Sequence, residues 1–273
     1  MENYSSTMQK VLAVIENDLE YVAIENLIAV SGYSYYHFHR IFKAYTGETL
    51  NKYIKRIQLE RALFQMQIDR ENITQIAMKS GYNTPSAFNK AFKEMFGINP
   101  SEYKKQLEPK RREYHDIEPI RIEVIEPIDV YAIRYVGSYA KLDAMWERLI
   151  AFATNNRLLS RDFFAYAIAY DNPDISEQTK LRYDACISQT KELLLSSKDE
   201  IRKKVLNGGR YAIFLHKGAH EKLTETYDAI FGNWFYKEEM MLRDVPVIQK
   251  FLNNKHETKE EDLLTEVYVP IHS

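Results

Sequence analysis

Two sets of polar side chains recur at helical spacing within the first hundred residues. Each set falls at positions i, i+3, i+4 and i+7, which share one face of an α-helix. Arginine, asparagine and serine can donate hydrogen bonds to base edges, and lysine suits phosphates. Both faces therefore have the side chains that a helix needs to contact double-stranded DNA. The first set is Tyr36, His39, Arg40 and Lys43, and the second is Ser86, Asn89, Lys90 and Lys93.

A repeated segment contains the two sets. Residues Phe38–Lys43 and Phe88–Lys93 match each other, and each copy follows a Ser-Gly-Tyr triplet. The glycine of such a triplet can adopt the left-handed dihedrals that end a helix. Ser34 and Thr84 are expected to cap the helix that follows in each unit, with Pro85 at a first helical position. The pattern predicts two helix-turn-helix units.

The apolar residues of these helices predict how the units pack. The stripes expected to face the interior are Phe38, Ile41, Phe42 and Tyr45, and Phe88, Ala91, Phe92 and Met95. Residues 50–66 run without glycine or proline and predict one long helix between the units. Such a helix spans roughly 24 Å, and successive major-groove segments lie about 34 Å apart. One chain is thus expected to contact two adjacent segments.

Residues 8–106 resemble the DNA-binding domain of AraC/XylS-type transcription regulators. The resemblance rests on the residues from Gly32 to Lys43, on Arg56 to Ala62, and on the segment from Ile76 to Tyr103. It implies base and phosphate contacts at Tyr36, His39 and Arg40, and at Pro85, Ser86, Asn89 and Lys90. Pro85 departs from the family pattern because it offers no polar group. The second unit is therefore expected mainly to hold phosphates.

Composition supports two globular domains. Residues 1–112 contain 16 Lys and Arg and 12 Asp and Glu, a balance of +4, whereas the rest of the chain has 21 and 27, a balance of −6. A basic part suits phosphate partners, so DNA binding is assigned to the N-terminal domain. Cys186 is the single cysteine, which excludes an internal disulfide. The N-terminus has no apolar signal core, and no membrane segment is found, so a cytoplasmic protein is expected.

Two prolines flank a charged stretch near residues 107–119, where no helical or strand period is seen. This stretch predicts a linker at 108–118 between an N-terminal domain at 1–107 and a C-terminal domain at 119–273. A second repetition follows the linker. Tyr131-Ala132-Ile133 with Gly137 is echoed by Tyr211-Ala212-Ile213 with Gly218.

Each half of the C-terminal domain is predicted to form strand, helix, strand, strand. We expect an α+β fold in which two antiparallel sheets each have a helix on one side and leave a groove between them. Helices are expected to end near Thr154 and Phe235. The strands predicted after these helices are 164–170, 182–189, 247–252 and 263–271.

The C-terminal part, from about residue 118, is similar to GyrI-like effector-binding domains, which occur in multidrug-responsive regulators and as free-standing small proteins. This resemblance implies a small hydrophobic or cationic effector. The pieces that carry it are Val136–Tyr139, Tyr170–Asp174, Leu181–Cys186, His216–Gly218 and Thr265–Ile271.

Glu266 is the candidate anchor for such an effector. On a strand Glu266 and Tyr268 share one face, so they point toward the groove if the intervening Val267 packs under a helix. A carboxylate in an apolar pocket attracts lipophilic cations, and aromatic rings can stack on them. The rings expected to do so are Trp146, Tyr166, Tyr183, Trp234 and Tyr268. Both tryptophans fit the core as well as a pocket wall, and Glu266 also fits a surface strand.

Three functions follow from these patterns. The first is a transcription regulator whose DNA binding responds to a small-molecule effector. The second, implied by the resemblance to GyrI-like domains, is a hydrolase of reactive small molecules in which Glu266 is a general base. The third makes the C-terminal half a protein-binding module, toward RNA polymerase or a gyrase-like partner. We expect the first, with no enzyme activity, cofactor or metal, because no metal-ligand spacing, phosphate loop or nucleophile motif is present.

Overall fold

The computed structural model describes residues 4–17, 23–68, 72–111, 115–173, 176–195, 200–235, 241–243 and 245–272. The chain divides into two compact units between Arg111 and Arg112, and each unit is described separately below. Among the described residues, no helix combines the length and apolarity needed to cross a bilayer.

The N-terminal unit is helical. Gly32, Gly47 and Gly97 adopt left-handed dihedrals, with φ of 67°, 75° and 76°, at the ends of the second, third and sixth helices. A residue without Cβ takes this conformation at little cost, so each helix stops where its glycine stands. The helices are α1 (Tyr4–Asn17), α2 (Ile24–Ser31), α3 (Tyr35–Thr46), α4 (Leu50–Ile68), α5 (Ile73–Lys79), α6 (Pro85–Phe96) and α7 (Pro100–Arg111).

Helix α7 corrects the predicted linker, because residues 108–111 continue the helix as far as Arg111. The proline at 109 suggested an earlier end. A proline this close to a helix terminus removes one hydrogen bond from the last turns, and a helix that is already formed can continue past it.

Helices α3 and α6 start differently. The Thr84 hydroxyl accepts a hydrogen bond from the Ala87 amide at 3.2 Å, and Pro85 occupies the first position of α6, as predicted. Ser34 has the extended dihedrals of an N-cap at α3, but its side chain makes no capping hydrogen bond. The capping role predicted for Ser34 is therefore wrong, and only the backbone position is confirmed.

Apolar side chains of α1 to α4 form the core around the first helix-turn-helix. Phe38 and Phe42 are fully buried there, as are Phe88 and Phe92 in the second unit. Tyr45 and Met95, predicted to face inward, are 39% and 38% exposed. A straight helix drifts by about 20° over seven residues, so the last member of each stripe rotates away from the core.

The C-terminal unit is one antiparallel sheet with helices. Its strands are β1 (Arg121–Ile125), β2 (Ile128–Val136), β3 (Ala165–Ala169), β4 (Arg182–Ser188), β5 (Arg202–Leu206), β6 (Gly209–Lys217), β7 (Ile248–Phe251) and β8 (Leu264–Pro270). Helix α8 (Asp143–Asn155) precedes β3. Helix α9 (Leu223–Ala229) continues into a π-helical turn, Ile230–Trp234, before β7.

The described strands form a single sheet in the order β1-β6-β8-β7-β3-β4-β2-β5, so the prediction of two separate sheets is wrong. Strand β3 pairs with β7 and joins the halves. The edge strands, which were not predicted, cross between halves: β1 pairs with β6, and β5 pairs with β2. The first strand of each half thus pairs with a strand of the other half.

The sheet has two faces that are named here for later use. The helix side contains Tyr131, Ile133 and Tyr183, which pack with Met145 and Leu149 of α8. The inner face is the opposite face, and its apolar residues are Val130, Ala132, Tyr166, Ile168, Cys186, Leu206, Tyr211, Ile213, Ile248 and Tyr268. Because Tyr131 and Tyr211 lie on different faces, the two Tyr-Ala-Ile pieces aligned in the sequence are not equivalent in the sheet.

Candidate functional sites

Helices α3 and α6 present similar polar surfaces. Phe38 and Phe42 of α3 and Phe88 and Phe92 of α6 are buried, and the polar residues beside them are exposed apart from His39. Tyr36, in the first turn of α3, is 82% exposed. The other exposed members of the two predicted sets are Arg40, Lys43, Ser86, Asn89, Lys90 and Lys93.

His39 differs from the rest of its set. It is half-buried, its ring centroid lies 4.6 Å from that of Tyr35, and it also contacts Phe38. In the described part of the chain, its buried Nε2 atom has no hydrogen-bond partner. His39 therefore lies at the edge of the polar face, beneath Tyr35, while Arg40 extends from the face.

A buried ion network fixes the corner between α3 and α4. The Arg56 guanidinium donates to Glu48 and Glu60 at 3.1 Å each, and it also lies over the Tyr53 ring at 5.0 Å. Glu48 stands in the turn after α3, whereas Arg56 belongs to α4. Since the pair is buried, rotating one helix against the other would leave a charge without its partner. The network therefore holds α3 at a defined angle to α4.

Glu266 lies on the inner face and is paired within the chain. Arg121 of β1 donates to both carboxylate oxygens, Nη1 to Oε1 at 2.6 Å and Nη2 to Oε2 at 3.0 Å. The Tyr268 hydroxyl donates to Oε2 at 2.7 Å. Burial raises the pKa of Glu266, but the hydrogen bonds from Arg121 and Tyr268 outweigh it, so the pKa falls below its ordinary value. The carboxylate is thus held in its charged form.

A row of side chains connects Glu266 to a cavity. Tyr166 lies opposite Lys250, and Lys250 lies opposite Glu266, in adjacent strands of the inner face. Tyr166 and Phe164 also line a cavity of about 470 Å³ whose other walls come from residues 125–129, 162 and 188–190. The Lys250 ammonium stands 3.8 Å from the centre of the Phe164 ring. Two strand spacings, about 10 Å, separate Tyr166 from Glu266.

The remaining aromatic candidates lie on the helix side. Trp146 of α8 contacts Tyr183 and Phe251, with ring centroids 6.5 and 5.6 Å apart. Trp234 is 2% exposed and packs against Phe214 at 4.9 Å. The structure therefore brings Tyr166, Glu266 and Tyr268 to one face and separates them from Trp146, Tyr183 and Trp234, so the six do not line a common groove.

A second buried carboxylate lies on the inner face, and sequence reasoning did not find it. Asp184 of β4 is fully buried and is paired with Arg134, Arg202 and Lys204. Burial raises its pKa, but these cations lower the pKa far below the ordinary value. Tyr170 donates a further hydrogen bond to Asp184 at 2.8 Å. These partners come from β2 (Arg134), from β5 (Arg202 and Lys204) and from the residue after β3 (Tyr170), so no local motif marks the cluster.

Cys186 is fully buried, and burial raises the pKa of its thiol to about 12, which suppresses the thiolate. Among the described residues, no group of three or more His, Cys, Asp or Glu side chains could hold a metal ion.

Comparison with known proteins assigns both units. Residues 118–272 match the model of the GyrI-like small molecule binding domain, more than half of the chain. The chain belongs to the GyrI-like family. Residues 27–106 match a helix-turn-helix domain model. The transcriptional activator AarP of Providencia stuartii is 31% identical over 101 residues, which are 37% of this chain and 75% of AarP.

The GyrI-like protein is therefore a transcription regulator with an AraC-type DNA-binding domain. The putative regulator YkgA of Escherichia coli is 29% identical over 176 residues, 64% of this chain and 65% of YkgA. The chain thus spans less than two thirds of that relative. A solved EcmrR-DNA complex aligns with 91% of this chain and 84% of its own, at 14% identity and a TM-score of 0.46.

Proposed function

We propose that the exposed faces of α3 and α6 bind promoter DNA and that an apolar effector on the inner face of the GyrI-like domain controls this binding. The observation that supports the DNA half is the exposure of matching polar faces on two helices that each bury two phenylalanines on the opposite side. In this arrangement Arg40 and Asn89 contact base edges. Lys43, Lys90 and Lys93 contact phosphates, while Tyr36 and Ser86 add contacts at the helix N-termini.

Helix α4 is proposed to set the distance between the two recognition helices. It follows α3 and precedes α5 in the chain, and its nineteen residues correspond to roughly 28 Å of helix. The pair Lys55–Glu94, at 3.4 Å, connects α4 to α6. The Arg56 network joins α3 to α4 in the same way. Both recognition helices therefore contact α4.

Gel-shift titration on the promoter region of its own gene tests the DNA face. Arg40→Ala removes a base contact and should weaken binding roughly 10- to 100-fold, the usual cost of one bidentate base contact. Lys105→Ala is the matched control, because it removes an exposed positive charge from α7, which carries neither of the two predicted sets. Equal affinities for Arg40→Ala and the parent protein would refute the assigned face.

The effector is proposed to occupy the inner-face cavity beside Phe164 and Tyr166, with Glu266 and Tyr268 farther along the same face, outside the cavity lining. A volume of about 470 Å³ lies within the range that suits small ligands. The aromatic walls favour an apolar molecule. Trp146, Tyr183 and Trp234 are proposed to act as core residues on the helix side, where they pack against α8, β7 and β6.

Thermal unfolding tests the effector site. Both tryptophans lie in the GyrI-like domain, so their fluorescence follows this domain within the full chain. A ligand at one hundred times its dissociation constant should stabilise the domain by about 2.7 kcal/mol. A panel of lipophilic compounds is compared on the parent and on Tyr166→Ala. The expected result is a shift in melting temperature that the variant loses; an equal shift in both would place the ligand elsewhere.

Regulation requires that the effector favour one arrangement of the two domains over another by a difference in binding energy. We propose RNA polymerase as the partner through which promoter binding is converted into transcription, since a relative of the DNA-binding domain is a transcriptional activator. In vitro transcription with purified polymerase, with and without effector, tests both the control by the effector and the role of the polymerase.

Hydrolysis by Glu266 is the less favoured function. A general base works best with a pKa near the operating pH, whereas the pKa of Glu266 is lowered by its hydrogen bonds to Arg121 and Tyr268. Both oxygens already accept hydrogen bonds. Recovery of the bound compound unchanged after long incubation is the expected result.

The GyrI-like domain is proposed to be an internal duplication with a constant offset. Strand β5 begins 81 residues after β1 (202 − 121), and β6 begins 81 residues after β2 (209 − 128). Gly218 follows Gly137 by the same interval, and both have positive φ. This offset makes Arg202 the counterpart of Arg121.

A further inference from the structure

The inner face supplies its own cation to Glu266. We propose that Arg121 is a built-in counter-ion that sets the charge selectivity of the effector site, so that the domain selects an uncharged effector over a cationic one. This inference rests on the proposed effector site and specifies the class of its ligand. A lone carboxylate would attract a lipophilic cation, but here the Arg121 guanidinium occupies the position that such a cation would take.

The geometry of the pair supports this role. The Arg121 side chain is 36% exposed, whereas the Glu266 side chain is 8% exposed, so the guanidinium lies between the carboxylate and solvent. Two hydrogen bonds at 2.6 and 3.0 Å match the fork of the guanidinium to both oxygens. A ligand cation that has no hydrogen-bond donors could not replace these contacts, and it would also leave Arg121 without its carboxylate.

The other carboxylate of the inner face is neutralised in the same way. Asp184 lies opposite Arg134, and Glu266 lies opposite Leu215, 81 residues after Arg134. At the equivalent edge-strand position, Arg202 donates to Asp184 at 3.2 Å. An edge-strand arginine therefore covers an inner-face carboxylate in both halves of the domain. Lys204 and Arg134 add two more cations at Asp184.

The neighbouring charges do not reverse this selectivity. Glu123 accepts a hydrogen bond from Arg121 at 3.2 Å, and Lys250 lies in the strand next to Glu266. The three carboxylates that line the cavity, Glu126, Asp129 and Asp162, are exposed, so solvent and salt screen their field. Removing Arg121 would therefore uncover a buried carboxylate on the inner face, two strands from Tyr166 at the cavity wall.

Two ions of the same shape and opposite charge provide the test. Tetraphenylphosphonium and tetraphenylborate are titrated into the full chain by calorimetry, and the ratio of their dissociation constants is compared between variants. The parent protein should bind the cation no more tightly than the anion. Arg121→Gln should shift the ratio at least about tenfold toward the cation. The double variant Arg121→Gln/Glu266→Gln should lose that gain.

Arg202→Gln is the matched control. It removes the equivalent arginine, but Asp184 keeps Arg134 and Lys204, so the ratio should stay at the parental value. Tryptophan fluorescence verifies that each variant is folded. If Arg121→Gln does not fold, Glu266→Gln alone decides the matter, because Arg121, left with only Glu123 as its carboxylate partner, should shift the ratio about tenfold toward the anion.

The outcomes separate the two proposals. An unchanged ratio in Arg121→Gln, with both ions bound, overturns the role of Arg121 and leaves the effector site in place. A parent protein that already prefers the cation tenfold also overturns it. If neither ion binds any folded variant, the proposed effector site on the inner face is refuted, and so is the role of Arg121 that rests on it.

Discussion

At the residue level, the partners of a side chain decide what it can do. Glu266 has the residue type of an anchor or a base, yet Arg121 and Tyr268 use its lone pairs and lower its pKa. His39 has the residue type of a base reader, but its ring lies under Tyr35 and its Nε2 atom is buried. Arg40 and Asn89 are exposed and are better placed to contact a partner.

The pairing of Glu266 predicts how acid affects the GyrI-like domain. A carboxylate whose pKa is lower in the folded state stabilises the fold above its unfolded pKa, about 4.3 for Glu. That stability is lost as the pH falls through the folded value. The parent domain should therefore lose stability below about pH 4.3, and Glu266→Gln should lose less over the same range.

Urea titrations at pH 6, 5, 4 and 3.5, followed by tryptophan fluorescence, measure this difference. Asp184 remains in both proteins, and its pKa is lowered too, so the parent and the variant should both weaken in acid. The contribution of Glu266 is the difference between the two proteins in the slope of the free energy of unfolding against pH. Parallel curves for the two proteins would show that the Arg121 pair does not stabilise the folded domain.

At the level of single elements, the two recognition helices differ in how they begin. Thr84 makes a side-chain capping bond at α6, and Ser34 makes none at α3. Thr84→Ala should therefore destabilise the N-terminal unit by about 1 kcal/mol, the usual value of an N-cap hydrogen bond. Ser34→Ala serves as the matched control, and its cost should be less than half as large.

Circular dichroism at 222 nm during thermal unfolding of the full chain reports this comparison. Most of the described helical residues belong to the N-terminal unit, so the signal is dominated by the region of interest. A larger loss for Ser34→Ala than for Thr84→Ala would mean that the two helix starts have been assigned the wrong way round.

The helices could be predicted from sequence because their signals are local. Glycine turns, Thr84 and Pro85 mark the ends of α5 and α6, and the spacing of the phenylalanines marks the buried face. The edge strands β1 and β5 could not be predicted from the sequence. Each of β1 and β5 has five residues that mix charged with apolar side chains, and the strand that pairs with each belongs to the other half.

The effector site, too, could be predicted only where the signal is local in the sequence. Strand alternation alone placed Glu266 and Tyr268 on one face, away from Val267, and the structure agrees. Arg121 is 145 residues from Glu266 in the chain, so only the sheet order reveals the pair. Trp146 and Tyr183 were grouped with Glu266 because of their residue type, but they lie on the opposite side of the sheet.

At the level of the whole molecule, the two units differ in how far apart along the chain their contacts are. Most contacts within the helical unit join helices that are one or two apart in the chain, whereas the sheet pairs strands from distant parts of the sequence. Because long-range pairing slows folding, the helical unit should refold first. After dilution from denaturant, the signal at 222 nm should recover mostly before the tryptophan fluorescence does.

Stopped-flow refolding of the full chain, recorded with both probes, tests this order. A single time constant shared by the two probes would contradict it. Thr84→Ala should change only the fast phase seen at 222 nm, because Thr84 belongs to the helical unit, and it should leave the slower fluorescence phase unchanged.

The exchange of edge strands also affects synthesis of the protein on the ribosome. Strand β1 is made 88 residues before β6, the strand with which it pairs (209 − 121). At 5–20 residues per second, it waits roughly 4 to 18 s for that partner. During this interval the backbone N–H and C=O groups of β1 that later pair with β6 have no strand partner. Slow translation of this stretch should therefore increase the need for chaperones and the yield of aggregates.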